Sequence, residues 1–202
     1  MSEDKKDDGY LDSLKAEALR QIDAGRSVIL MRQNKKPLYP WKKFQTEIPS
    51  KTMMETLFDL LTPEEVPMLA LILGPVSGDF WALDLDGADA VRWAEANAPF
   101  TGWRVRTPRG MHWYYRMPRD GPLDIISPEG FSWNGLDVVP DLKDGAAVDL
   151  RGPGSCLVIP PSKGISGLYF WDVLDSVPPP YWAPWEVGPM KPHSGGNGGS
   201  RE

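Results

Sequence analysis

Seven residues, Phe80-Trp81-Ala82-Leu83-Asp84-Leu85-Asp86, constrain this chain more than any others. They form an apolar run in which two acids flank one leucine. In a β-strand successive side chains alternate faces, so Asp84 and Asp86 point the same way, about 7 Å apart along the strand. Leu83 and Leu85 then face a core behind them. Two carboxylates on one face of a largely buried strand repel each other unless a positive group lies between them. A divalent cation answers that need, because hard cations such as magnesium prefer carboxylate oxygen.

The chain has 202 residues, enough for one domain with a sizeable core. The lone cysteine, Cys156, excludes an internal disulfide and a cysteine-based zinc site. It accords with a reducing cytoplasm. No apolar stretch reaches the length of a membrane span, and the acidic N-terminus is not a signal peptide. The net charge is −6, yet the charge is unevenly placed. Residues 26–45 carry Arg26, Arg32, Lys35, Lys36, Lys42 and Lys43 without an acid, and residues 103–119 carry Arg104, Arg106, Arg109, Arg116 and Arg119 without one. Both stretches interleave aromatics, Tyr39, Trp41 and Phe44 in the first, Trp103, Trp113, Tyr114 and Tyr115 in the second. Basic groups with stackable rings suit a single-stranded nucleic acid or a nucleotide. A solvated charged face over an aromatic core gives the same pattern.

Leu11, Leu14, Ala18, Leu19 and Ile22 recur at helical spacing, which predicts a helix ending near Gly25. A strand is expected over 27–31. A second helix is expected over 50–61, with Thr52 and Glu55 as a capping box. A buried strand is expected over 69–73, and a helix over 87–97 with Val91, Trp93 and Ala94 turned inward. Strands follow over 103–106, 111–117, 136–139, 147–150, 156–159 and 168–171, separated by Gly and Pro. The fold class is α+β with a mostly antiparallel or mixed sheet. Residues 1–9 read as a disordered acidic tail, 10–188 as one domain, and 189–202 as a flexible Gly-rich tail or linker.

Two downstream segments add chemistry. In Arg106-Thr107-Pro108-Arg109-Gly110-Met111-His112-Trp113-Tyr114 a turn leads into a strand. Gly110 would let backbone amides approach a ligand closely. Amides, Arg109 and His112 would converge on a polyphosphate, with His112 and Tyr114 on one face. In Val148-Asp149-Leu150-Arg151-Gly152-Pro153-Gly154 a third acid sits between core-type residues. Arg151 shares its face and would either touch a phosphate or neutralise the acid. The strand after it ends at a rim of Pro160-Pro161-Ser162, beside Lys163.

Together these pieces resemble the bifunctional primase/polymerase (prim-pol) domain of the archaeo-eukaryotic primase superfamily. The resemblance runs from about residue 19 to 171. It rests on Lys36-Pro37 followed by Trp41, on Leu83-Asp84-Leu85-Asp86-Gly87, on Arg-Thr-Pro with Gly-x-His, and on Asp-Leu-Arg-Gly-x-Gly with Pro-Pro-Ser. It departs at Arg109-Gly110, where relatives often have Ser-Gly-Gly, and at Gly154-Ser155, where many have Gly-Gly.

The resemblance implies an archaeo-eukaryotic primase fold, with an RRM-like catalytic sheet packed beside an N-terminal α/β unit. It implies Asp84, Asp86 and Asp149 as catalytic metal ligands for two Mg²⁺ or Mn²⁺ ions. Asp137 is a decoy, since only Asp149 has the right spacing to Pro160-Pro161-Ser162. His112 would contact the incoming nucleotide's phosphates, with Arg109, Gly110 and Arg151 beside it. Lys36, Lys42, Lys43, Arg104 and Arg106 are the candidates for holding nucleic acid. The implied function is a DNA primase/DNA polymerase of a phage- or plasmid-type replication protein, cytoplasmic in a bacterial cell or phage-infected host. Its partners would be single-stranded template and primer, NTPs and dNTPs, and a fused or associated helicase. The alternative is a non-catalytic replication initiator module that binds single-stranded DNA. A rolling-circle nickase fits poorly, since His112 and His193 are the only histidines.

Overall fold

A computed structural model describes residues 8–62, 64–117, 136–137, 142, 145–183 and 191–192. Helix α1 (Asp8–Asp23) opens the fold, with Leu14 and Ala18 buried one turn apart. Gly25, at φ +74°, lets the chain reverse into strand β1 (Val28–Met31). Helix α2 (Lys51–Asp59) follows and buries Met54 and Phe58. Its cap differs from the expected Thr52–Glu55 box. Ser50 is the N-cap, and its hydroxyl accepts from Met53 N at 3.1 Å. Serine in an extended conformation before the first turn satisfies a backbone donor that a threonine already inside the helix would leave open.

Strand β2 (Met68–Ile72) pairs with β1 on one side and β8 (Cys156–Ile159) on the other. It is buried at all five positions, which explains its unbroken apolar run. A second, seven-stranded sheet is built on β3 (Phe80–Asp86), flanked by β5 (Gly110–Arg116) and β7 (Ala147–Arg151). β4 (Trp103–Arg106) and β11 (Phe170–Leu174) extend it beyond β5. β6 (Leu136–Asp137) and β12 (Lys191–Pro192) extend it beyond β7. Every pairing within these sheets is antiparallel.

Alternation along β3 divides the protein into two cores. Phe80 and Ala82, with Tyr114, Trp103 and Val105, join the small sheet and helices α1 and α2 in the first. Trp81, Leu83 and Leu85 join Met111, Trp113, Tyr115, Val148 and Leu150 in the second, under helix α3 (Ala88–Asn97). In that helix Ala90 and Ala94 are buried, while the expected Val91 and Trp93 are only partly so. Small residues let the helix lie close to the sheet. Trp81 Nε1 donates to Trp182 O at 2.9 Å, which straps the segment around Trp182 over this core.

Three expectations shift. Asp8 and Gly9 already belong to α1, and residues 191–192 pair with β6 inside the expected tail. The expected strand over 168–171 divides into β10 (Gly167–Leu168), which pairs with β9 (Lys163–Gly164), and β11. Tyr169 between them is buried and its N–H bonds to Ser162 O, so the apolar run serves two partners. Residues 1–7, 138–139, 189–190 and 193–202 of the expected tails and strand lie outside the described residues. Among the described residues no helix is long and apolar enough to cross a membrane.

Candidate active site

Register brings the acids together. Asp84 lies opposite His112 of β5 on one side and opposite Asp149 of β7 on the other. Asp86, two residues on, lies opposite Gly110 and Ala147. Direct cross-strand partners share a face, with Cβ atoms about 5 Å apart. All three aspartates and His112 therefore stand on the face that carries Ala82 into the first core. Exposure on that face rises from 0% at Ala82 to 17% and 33% for the Asp84 and Asp86 side chains. The site is the part of the sheet where the apolar cover ends. The backbone of Asp137 is in register with Asp149, one strand further from Asp84.

Each acid meets a cation. Arg151 Nε donates to Asp84 Oδ2 at 3.2 Å, and its Nη2 donates to Asp149 Oδ2 at 3.3 Å. His112 Nε2 faces Asp84 Oδ1 at 3.4 Å. Arg109 Nη2 donates to Asp86 Oδ2 at 2.8 Å. Burial works to raise the Asp84 pKa, but it is outweighed. The hydrogen bond and charge of His112, with the charges of Arg151 and Lys35, hold the carboxyl down at about 2. Asp84 is thus ionised throughout the neutral range. His112 Nδ1 is buried without a hydrogen-bond partner among the described residues.

The donor set suits a hard cation. Asp84 and Asp149 share one positive group, the Arg151 guanidinium. Among the described residues no three His, Cys, Asp or Glu side chains close on a common point that could hold a metal ion.

The residues around the acids enclose a polar cavity of about 120 Å³. Asp84, Asp86, Thr107, Pro108, Arg109, His112 and Arg151 form one wall, and Lys35, Ser166 and Tyr169 the other. The second wall escaped the reading of the sequence. Tyr169 packs against His112, ring centroids 6.2 Å apart, and Lys35 differs from its neighbour Lys36 only by a backbone twist.

Other candidates fall elsewhere. Gly110 owes its place to strand pairing: a Cβ there would overlap the Leu85 carbonyl oxygen and lie 2.9 Å from its carbon. Its N–H is taken by Thr107 Oγ1 at 2.9 Å. Gly110→Ala should push β5 away from β3 at the acids and lower stability by about 1–3 kcal/mol, read as a lower denaturant midpoint. Ser162 is buried rather than a rim. Its hydroxyl accepts from Leu69 N at 2.8 Å and donates to Leu69 O at 3.2 Å, tying the end of β8 to β2.

Arg104 and Arg106 pair with Trp113 and Met111, so they stand on the opposite face from the aspartates. Arg104 stacks on Trp113 at 3.9 Å, and Arg106 bonds Asp172 at 2.6 Å. Both line a larger cavity of about 580 Å³ with Arg92, which shares the Thr107–Arg109 turn with the acid site. Lys36 is exposed on the turn that carries Lys35, and Lys42 and Lys43 are exposed on a 3-10 turn (Lys42–Gln45) held by Gln45 Nε2 to Gly154 O.

No curated protein matches the sequence. Residues 18–185 match the family described as bifunctional DNA primase/polymerase, N-terminal. The match takes in α2, both sheets as far as β11, all three aspartates and His112, so this chain belongs to the bifunctional DNA primase/polymerase N-terminal family.

Proposed function

We propose that the polar cavity is the catalytic centre of a template-directed nucleotidyltransferase, a DNA primase/polymerase of phage or plasmid type that uses two divalent ions. The observation that supports this most is the pairing of Asp84 with Asp149 around a single guanidinium. Asp84, Asp86 and Asp149 would hold magnesium or manganese, and the seven-stranded sheet would be the RRM-like catalytic sheet. In the reaction a primer 3′-oxygen bonds to the α-phosphorus of a nucleoside triphosphate as the bond to pyrophosphate breaks. Bound divalent ions lower the pKa of the attacking hydroxyl and neutralise charge on the leaving group.

The chain's own side chains do the rest. Arg109, Arg151 and His112 line the cavity and stabilise charge that builds on the triphosphate. Arg151 released from Asp84 and Asp149 has its planar fork free for phosphate oxygens. Lys36, Lys42 and Lys43 offer exposed charge to a template backbone, and Arg104 and Arg106 line a groove that reaches the same turn. Contacts of this kind read phosphates, so sequence preference is weak and salt dependence steep. NTPs, dNTPs and single-stranded template and primer are the partners, and a fused or associated helicase would supply the strand.

Primer extension tests this reading: single-stranded template with and without primer, each nucleotide pool in turn, in Mg²⁺, Mn²⁺ or EDTA. Extension that stops in EDTA is expected. Tight binding to single-stranded DNA with no incorporation under any metal would leave the non-catalytic initiator module instead.

A further inference from the structure

The wall opposite the aspartates comes from outside the seven-stranded sheet, and the side chain of one of its residues, Lys35, makes no ion pair or hydrogen bond among the described residues. Lys35 sits at the tip of a turn closed by Arg32 N to Lys36 O at 2.7 Å and Lys35 N to Arg32 O at 2.9 Å. Its φ is +61°, a left-handed conformation that a residue with a Cβ rarely adopts. The turn is fastened to the other lip of the cavity. Gln33 Nε2 donates to Val66 O at 2.7 Å and to Lys163 O at 2.8 Å, where the β9–β10 hairpin that carries Ser166 begins. The twist and the tie together aim Lys35, and not Lys36, into the cavity.

Charge gives that placement a purpose. Among the described residues lining the cavity, Arg109 and Arg151 each hold an aspartate, while Lys35 forms no ion pair. Three lining cations, Lys35, Arg109 and Arg151, face two lining carboxylates, Asp84 and Asp86. At about 120 Å³ the cavity is smaller than a pocket for a whole nucleotide, and it is walled on two sides by turns. A continuing nucleic-acid strand needs an open groove. The end of a polyphosphate does not.

We propose that Lys35 binds the terminal phosphate of the incoming nucleoside triphosphate, reaching across from the N-terminal unit, with the Ser166 hydroxyl beside it as a second donor. This rests on the polymerase reading. It adds a residue from outside the motif segments and ties nucleotide capture to the contact between the two lips. Lys36 keeps its place as a template contact, so adjacent lysines serve different ligands.

The test is equilibrium binding of a dNTP and of the matching dNMP in Ca²⁺, where turnover is suppressed. It compares the wild type with Lys35→Gln, Lys35→Arg and Lys36→Gln, each checked for an unchanged thermal midpoint. Lys35→Gln should weaken dNTP binding about ten- to hundredfold, the size of a charge-assisted contact, and leave dNMP binding as it was. Lys35→Arg should recover most of the loss, and Lys36→Gln should bind dNTP like the wild type. Wild-type dNTP affinity in Lys35→Gln overturns the assignment. So does an equal loss for dNMP, or a loss confined to single-stranded DNA binding. A wild type that binds no dNTP sinks the polymerase reading itself, and the two failures are thereby told apart.

Discussion

Replacing Asp149 by asparagine should abolish nucleotide incorporation and leave the fold in place. The substitution keeps the shape of the side chain and an oxygen that can still accept from Arg151 Nη2. β7 stays paired on both edges, to β3 and to β6, so the scaffold has no cause to shift. What disappears is one negative charge from the group proposed to hold the metal ions. Metal ions stabilise transition-state charge by several kcal/mol, and each 1.36 kcal/mol is tenfold in rate, so the loss should be about 10³-fold or more. Asp84→Asn should cost as much activity, and more stability, because Asp84 faces both His112 and Arg151. Single-turnover extension on a primed template measures the first effect, and thermal melts measure the second. An Asp149→Asn protein that extends primers at the wild-type rate would remove Asp149 from the catalytic set.

How much of this could be read from the sequence follows from the range of the interactions concerned. Period-two alternation is local, and it correctly placed Asp84 with Asp86, His112 with Tyr114 and Asp149 with Arg151 on common faces. The relation between faces on different strands is set by pairing register, which depends on residues tens of positions apart. Arg104 and Arg106 lie near the aromatic strand in sequence and read as candidates for holding nucleic acid. Val105 is the residue that pairs with His112, and the two arginines are thereby turned to the other side of the sheet. The same argument separates Asp149 from Asp137. Both are flanked by apolar residues, and only the register shows that Asp149 is the direct partner of Asp84.

Smaller misreadings have local causes. Ser50 and Thr52 are both acceptable N-caps by type, and the choice is made by where the backbone turns from extended to helical. Gly110 invites a phosphate-loop reading because glycine so often marks close approach to a ligand. Here the close approach is to Leu85 of the neighbouring strand. Lys35 could not be chosen over Lys36 from composition, since one positive φ decides which of them enters the cavity. Arg151 was legible in both of its possible roles, and the structure shows the neutralising one.

That neutralising role makes Arg151→Met the most informative single change after the aspartates. Arg151 separates two carboxylates that face each other across adjacent strands. Like charges directly opposite in a sheet are destabilising. Removing one partner from a fully buried ion pair costs roughly 3–5 kcal/mol, borne by the desolvated charge that remains. The Arg151 side chain is 30% exposed, so solvent screens part of this, and a loss of about 2 kcal/mol is expected. A divalent ion can fill the place the guanidinium leaves. Mn²⁺ should therefore bind Arg151→Met more tightly than the wild type and restore most of the lost stability, by mass action on the folded state. In the wild type, on the proposed reading, Mn²⁺ would have to displace the guanidinium first, and its stabilising effect should be smaller. Adding Asp149→Asn to Arg151→Met should recover stability without metal, because it removes one of the two opposed charges, and the non-additivity of the pair measures the coupling. Denaturant melts of the four proteins with and without Mn²⁺ decide the matter. If Arg151→Met melts like the wild type in EDTA, or if Mn²⁺ stabilises both equally, the guanidinium is not the counter-ion that holds the acids together.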